Sequence, residues 1–151
     1  MKLDDALTRV IELGFDTAPV IYFVEAHPRY DMLVTEIFQR VAAGALHGVT
    51  SVITLTEVLI HPLRQGDIRL SDKYRTLLLN SSNFETRSID ATIADQAADL
   101  RARYGLRTPD ALQIATALAA GCDAFLTNDA RLQRVTELRV LVLDEIELDT
   151  R

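Results

Sequence analysis

Arg9-Val10-Ile11-Glu12-Leu13-Gly14-Phe15, followed by Asp16-Thr17-Ala18-Pro19, is the stretch on which the fold turns. The first seven residues read as a strand ending at Asp16. Pro19 suits the first turn of a helix, where a missing N–H costs nothing. That helix is expected from Val20 to about Ala26, stopping before Pro28. A strand passing into a helix, with an acid at the junction, is the repeating unit of an α/β fold.

The rest of the chain continues in the same way. Asp31 to Ala43 places Leu33, Val34, Ile37, Phe38 and Val41 on one helical face. After Gly44 and Gly48, Val49 to Ile53 reads as a second strand. Thr54-Leu55-Thr56-Glu57 has capping-box spacing and predicts a helix start at Thr54, which Pro62 should bend or end. A helix over Ser71 to Leu79, a polar turn at Asn80 to Asn83 and a strand from Phe84 to Ile89 follow. Asp90 is placed to cap a helix with an apolar face of Ile93, Ala97, Leu100 and Tyr104, ended by Gly105.

Thr108-Pro109-Asp110 reads as N-cap, N1 and N2 of an alanine-rich helix ending at Gly121. Its Ala111, Ala115 and Ala119 allow close approach to a sheet. Ala124 to Leu126 is a short buried strand, a helical turn runs through Val135, and Leu138 to Leu143 supplies the last strand. Residues 1–8 are expected to add a helical turn. The alternation predicts an α/β fold with a mainly parallel sheet. No repeat or linker divides the 151 residues, so one domain over 1–151 is expected.

Composition narrows the function. A 48% hydrophobic, 25% charged chain is ordinary for a globular protein. The acidic start, Met1-Lys2-Leu3-Asp4-Asp5, does not read as a signal peptide. No apolar run approaches the roughly 20 residues that span a bilayer, so a cytoplasmic protein without membrane association is expected. Cys122 is the only cysteine; it excludes an internal disulfide and a cysteine-based zinc site, and reads as packing. The net charge of −6 argues against indiscriminate attraction to nucleic acid, although basic residues slightly outnumber acids from Arg64 to Arg107.

Asp16, Glu57, Asp110 and Asp129 are the candidate functional residues. Singly, each has an ordinary structural role: a strand end, half of a capping box, a first-turn acid favoured by the helix dipole, an N-cap. Together they fall where strands end and helices begin, the edge at which open parallel sheets bind ligands. Two carboxylates about 4 Å apart repel by roughly 4 kcal/mol at an effective dielectric near 20. Such a group must bind protons or a divalent cation, and the cation is the better reading. Oxygen donors without cysteine or paired histidine select Mg²⁺ or Mn²⁺, as one ion or two. His27, His47 and His61 are scattered and do not form an acid–base pair. Arg101 and Arg103 read as a solvated helix face, and the aromatics are too dispersed for a base-stacking platform.

Four segments carry a resemblance: Phe15-Asp16-Thr17-Ala18-Pro19-Val20-Ile21-Tyr22, Thr54-Leu55-Thr56-Glu57-Val58-Leu59, Thr108-Pro109-Asp110-Ala111-Leu112-Gln113-Ile114-Ala115-Thr116-Ala117, and Leu126-Thr127-Asn128-Asp129-Ala130-Arg131-Leu132. In order and spacing they resemble the four acidic motifs of the PIN domain, and a stand-alone chain of this kind is similar to the VapC toxins of bacterial toxin–antitoxin pairs. The resemblance implies a three-layer α/β/α domain with about five strands in the order 3-2-1-4-5. It implies a Mg²⁺- or Mn²⁺-dependent endoribonuclease that leaves a 5′-phosphate and a 3′-hydroxyl, forms a homodimer and is restrained by an antitoxin.

Carried over by position, Asp16, Glu57, Asp110 and Asp129 become the catalytic metal-binding quartet. Asp16 and Asp110 are the direct ligands; Glu57 and Asp129 act through waters or on a second ion. Thr127 matches a hydroxyl that orients water or Asp129. Arg131 and Arg107 are the basic side chains best placed to contact RNA or antitoxin. One departure stands out: Ala18 occupies a position where the family often has a polar residue, so a hydrogen bond that steadies the site is either missing or supplied by another group such as Thr17. The alternatives are a PIN nuclease of RNA processing or turnover, or a metal-free PIN binding module. A receiver domain needs a lysine that Lys2 and Lys73 do not supply, and a dehalogenase-type phosphatase needs an Asp where Ala18 stands.

Overall fold

A turn of helix, α1 (Leu3–Ala6), leads into the central strand β1 (Glu12–Phe15) in a computed structural model that describes residues 1–150. Four more strands follow: β2 (His47–Ser51), β3 (Phe84–Arg87), β4 (Ala124–Thr127) and β5 (Arg139–Val142). They form one sheet in the order β3-β2-β1-β4-β5, with every neighbouring pair parallel. Parallel neighbours cannot be joined by tight turns, so each connection carries helices. These are α2 (Thr17–Val24) with α3 (Asp31–Ala42), α4 (Val52–Gln65) with α5 (Ile68–Asn80), and α6 (Ala91–Tyr104) with α7 (Thr108–Ala119). A 3-10 turn, Ala130–Arg134, joins β4 to β5. The three-layer class and the strand order agree with expectation.

The alternation of side chains along each strand separates two cores. Leu13, Phe15, Ala124 and Leu126 pack with Val20, Leu33, Ile37, Val58 and Tyr74 from α2 to α5. Phe125 and Val49 face the other way, against Ile93, Ala97, Ala111 and Ile114 of α6 and α7. Helix α7 presses hard on β1: a Cβ on Gly14 would stand 2.9 Å from the Cβ of Ala117. The small residues of both elements are what bring Asp110, at the head of α7, down to the sheet edge.

Several boundaries differ from expectation, each for a local reason. Strand β1 begins at Glu12 because Arg9 takes a left-handed φ of 63°, which no strand contains. Strand β2 ends at Ser51, whose Oγ accepts the Ile53 N–H at 3.1 Å and starts α4 ahead of the predicted Thr54. A hydroxyl cap thus overrides the β-branched Val52 and Ile53, and Thr54 and Glu57 do not form a capping box. Pro62 stays inside α4, which continues to Gln65 and stops at Gly66 with φ 65°. The N-cap of α7 is Arg107 rather than Thr108, so Asp110 is the third residue of that helix. Asp90 and Gly105 bound α6 as predicted. No helix among the described residues is long and apolar enough to cross a membrane.

Candidate active site

The carboxyl ends of β1, β2 and β4 open onto a cleft of about 390 Å³, lined by Asp16, Glu57, Asp110, Thr127 and Asp129, with Arg107 at its rim. Residues that lie far apart in the chain therefore line one cleft. Asp16 leaves β1 and caps α2, accepting the Thr17 N–H at 2.8 Å. Asp110 lies in the first turn of α7 and is buried. Asp129 caps the 3-10 turn after β4. All three carboxylates thus stand at helix starts, where unpaired N–H groups favour negative charge. Glu57 is the exception: it is exposed on the second turn of α4 and has no helix start to hold it.

Thr127, fully buried at the end of β4, ties two of the acids together. Its hydroxyl donates to Asp16 Oδ2 at 2.8 Å and accepts the Asp129 N–H at 3.1 Å. Asn128 steadies the same turn by donating to the Tyr22 hydroxyl at 3.3 Å and accepting the Asp144 N–H at 3.1 Å.

The charges in the cleft are unevenly balanced. Burial pushes the Asp16 carboxyl above the usual carboxylate range, against the Thr127 and Thr17 hydrogen bonds, and the charges of Asp110 and Glu57 add to the upward push. Asp129 is held below that range by Arg131, whose guanidinium grips it with Nε at 3.0 Å and Nη2 at 2.8 Å. Arg107 lies over Asp110. Both guanidinium side chains are 69% exposed, so these pairs can open.

As the side chains stand, no three Asp, Glu, His or Cys groups among the described residues surround one point at ligand distance. Closing the acids on an ion requires Arg107 and Arg131 to turn outward. The donors nevertheless suit a hard divalent cation: four carboxylates with the hydroxyls of Thr17, Tyr22 and Thr127, and no thiol or imidazole among the residues that line the cleft. The carboxyl of Asp16, half-buried and without a basic partner among the described residues, is raised by desolvation, which added positive charge would offset.

Beneath the cleft lies a hydroxyl and amide network of which the sequence reading had singled out only Thr17. Thr17 donates to Glu57 Oε1 at 2.6 Å, and the buried Gln113, Ser51 and Thr54 stand behind it. Thr17 thus makes a hydrogen bond of the kind that Ala18 cannot. Only the spacing of Gln113, three residues after Asp110 on one helical face, could have pointed to it. The aromatics also gather more than their dispersal suggested. Tyr22, on the cleft wall, stacks on Tyr30 with centroids 4.6 Å apart and meets His27 at 4.7 Å. The other histidines are remote: His47 pairs with Glu12 at the opposite end of the sheet, and His61 is exposed on α4. Arg101 bonds the Leu106 carbonyl, and Arg103 pairs with Asp99 and Glu137.

A family model for the PIN domain matches residues 15–138, the span that holds all four acids. The chain belongs to the PIN domain family. PIN domains are nucleases. Solved structures agree on the fold. A chain in VapBC2 from Rickettsia felis, bound to a DNA fragment from their promoter, is 17% identical with a TM-score of 0.71, covering 87% of this chain and 98% of that one. A chain in a toxin–antitoxin complex from Klebsiella pneumoniae is 22% identical, with a TM-score of 0.66 and coverage of 87% and 97%. DNA-bound VapBC from Salmonella typhimurium gives 16%, 0.69, and coverage of 88% and 98%. No curated protein matches the sequence.

Proposed function

We propose that this PIN domain is a Mg²⁺- or Mn²⁺-dependent endoribonuclease and the toxin of a toxin–antitoxin pair. The observation that carries the reading is the convergence of Asp16, Glu57, Asp110 and Asp129, from four separate elements, on one cleft. These four residues would hold the cation, with Asp16 and Asp110 as direct ligands. A bound divalent ion supplies charge to offset the phosphodiester and activates water for in-line displacement. Thr127 keeps Asp16 and Asp129 in a fixed relation through its two hydrogen bonds. Arg107 and Arg131, once displaced from Asp110 and Asp129, are free to turn to RNA phosphate.

The toxin assignment is supported by the toxin–antitoxin and VapBC assemblies in which its structural neighbours occur. The partner would be an antitoxin that lays a basic side chain over the acids, in the place that Arg107 and Arg131 hold here. The toxin is expected to act in the cytoplasm as a homodimer. The test is incubation with RNA in Mg²⁺ or Mn²⁺, with and without chelator, followed by mapping of the cut ends. Cleavage to 5′-phosphate and 3′-hydroxyl ends that chelator abolishes is the expected result; cleavage in chelator would refute the reading.

A second reading, a metal-free PIN binding module, is favoured by one observation: Arg107 and Arg131 already offset two of the four acids. Calorimetric titration with Mn²⁺ separates the two readings, since a binding-only module has no saturable site.

A further inference from the structure

Among the described residues, Glu57 is the one acid of the cleft without a helix start or an arginine to fix it, yet its carboxylate is not free. Thr17 Oγ1 lies 2.6 Å from Glu57 Oε1, and Thr17 is itself surrounded. Gln113 Nε2 stands 3.2 Å from the Thr17 hydroxyl and 2.7 Å from that of Thr54, and the two hydroxyls are 3.1 Å apart. Behind Gln113, Ser51 donates to Oε1 at 2.5 Å.

The directions of these bonds follow from counting protons. The network ends on the acceptor-only Glu57 carboxylate, which takes the Thr17 proton, and at its other end Ser51, whose Oγ accepts the Ile53 N–H, donates to Gln113 Oε1. That fixes the amide, because the opposite orientation would set Oε1 against Thr17 with no proton between them. The amide NH₂ then donates to both threonines. Because the Glu57 carboxylate can only accept, Thr17 must be the acceptor in its contacts with Gln113 and Thr54. Its single proton is left to point at Glu57, and a hydroxyl donating to a carboxylate is the strong, short kind of bond. Ser51, Thr54 and Gln113 are all buried, so no water competes for these positions.

We propose that Gln113 is a positioning residue: by orienting the Thr17 hydroxyl, it sets the place of the Glu57 carboxylate in the cation site. The inference rests on the metal-nuclease reading above. It gives a use to a buried amide in an alanine-rich helix, and it links the start of α2 and the second turns of α4 and α7 through side chains alone.

The test is calorimetric titration of Mn²⁺ into the unaltered chain and into Thr17→Val, Thr17→Ser and Gln113→Glu, with a melting curve for each. Thr17→Val keeps the side-chain shape and removes the hydroxyl; Gln113→Glu removes the NH₂ donors. Both should weaken Mn²⁺ binding about 10- to 100-fold, the range expected when a group behind a metal ligand is removed. Thr17→Ser, which keeps the hydroxyl, should bind as the unaltered chain does. If Gln113→Glu does not fold, the half-buried Thr17 variants decide. Unchanged affinity in Thr17→Val would overturn the positioning role and leave the nuclease reading standing. No saturable Mn²⁺ binding in the unaltered chain would overturn both.

Discussion

Arg107 stands over Asp110, with Nε 3.1 Å from Oδ2 and Nη2 3.4 Å from Oδ1. Arg131 holds Asp129 in the same way. The chain therefore carries its own counter-charges for two of the four acids, on side chains exposed enough to leave. Cation and arginine compete for the carboxylate oxygens, and carboxylate and phosphate compete for the arginines.

Removing a competitor has opposite effects on two ligands. Arg131→Ala and Arg107→Ala are each expected to bind Mn²⁺ more tightly and RNA more weakly. The slope of log affinity against log salt for single-stranded RNA should fall by about 0.7 for each phosphate that is no longer neutralised. Filter binding across a salt series reads this directly. Unchanged slopes in both variants would remove these arginines from the path of the RNA.

A site short of positive charge should be stabilised by a cation. At a Mn²⁺ concentration about 100 times its dissociation constant, linkage gives about 2.7 kcal/mol of stability. For a chain of this size that is a rise in Tm of about 5–10 °C, reversed by chelator. A melting curve indifferent to Mn²⁺ would count against the cation site.

How much of this was readable beforehand depended on whether the signal was local. Asp90 and Gly105 marked both ends of α6 because a side-chain cap and a left-handed residue act within a few positions. Asp16, Asp110 and Asp129 were readable because each lies at a helix start beside a local signal. Thr54 to Glu57 misled because the capping-box pattern is met by residues already inside α4, while Ser51, at the end of β2, makes the cap. Of the network under Glu57 only Thr17 was singled out beforehand: Thr17, Thr54 and Gln113 meet through tertiary packing, across 37 and 96 positions of sequence.

The close fit of α7 on the sheet gives a prediction about the fold. Gly14→Ala would place a Cβ 2.9 Å from that of Ala117 and 3.0 Å from the Phe125 ring. Overpacking of this kind costs about 1–3 kcal/mol. The variant should melt about 2–10 °C lower, and because α7 carries Asp110, its Mn²⁺ affinity should fall as well. A variant with unaltered Tm would show that the helix can shift freely.

Cys122 is buried, and desolvation pushes its thiol up to about 12 from an ordinary 9.0. Below about pH 9 both folded and unfolded chains keep the proton. Between about 9 and 12 only the unfolded chain releases it, so stability falls as pH rises through that window. At about pH 8 the folded thiol should resist iodoacetamide and react once the chain is unfolded by urea. Rapid alkylation of the folded protein would contradict this placement.

The most direct test of the whole account is RNA cleavage by Asp110→Asn beside the unaltered chain, in Mn²⁺ and in chelator. Asn keeps the size of the side chain and gives up about 0.3–1 kcal/mol of helix-dipole stabilisation, so Tm should change by only a few degrees. Cleavage by the unaltered chain should need the metal, and the variant should lose activity by at least about 100-fold, the scale of one preorganised electrostatic group. A folded Asp110→Asn protein that cuts RNA at the original rate in Mn²⁺ would contradict the account.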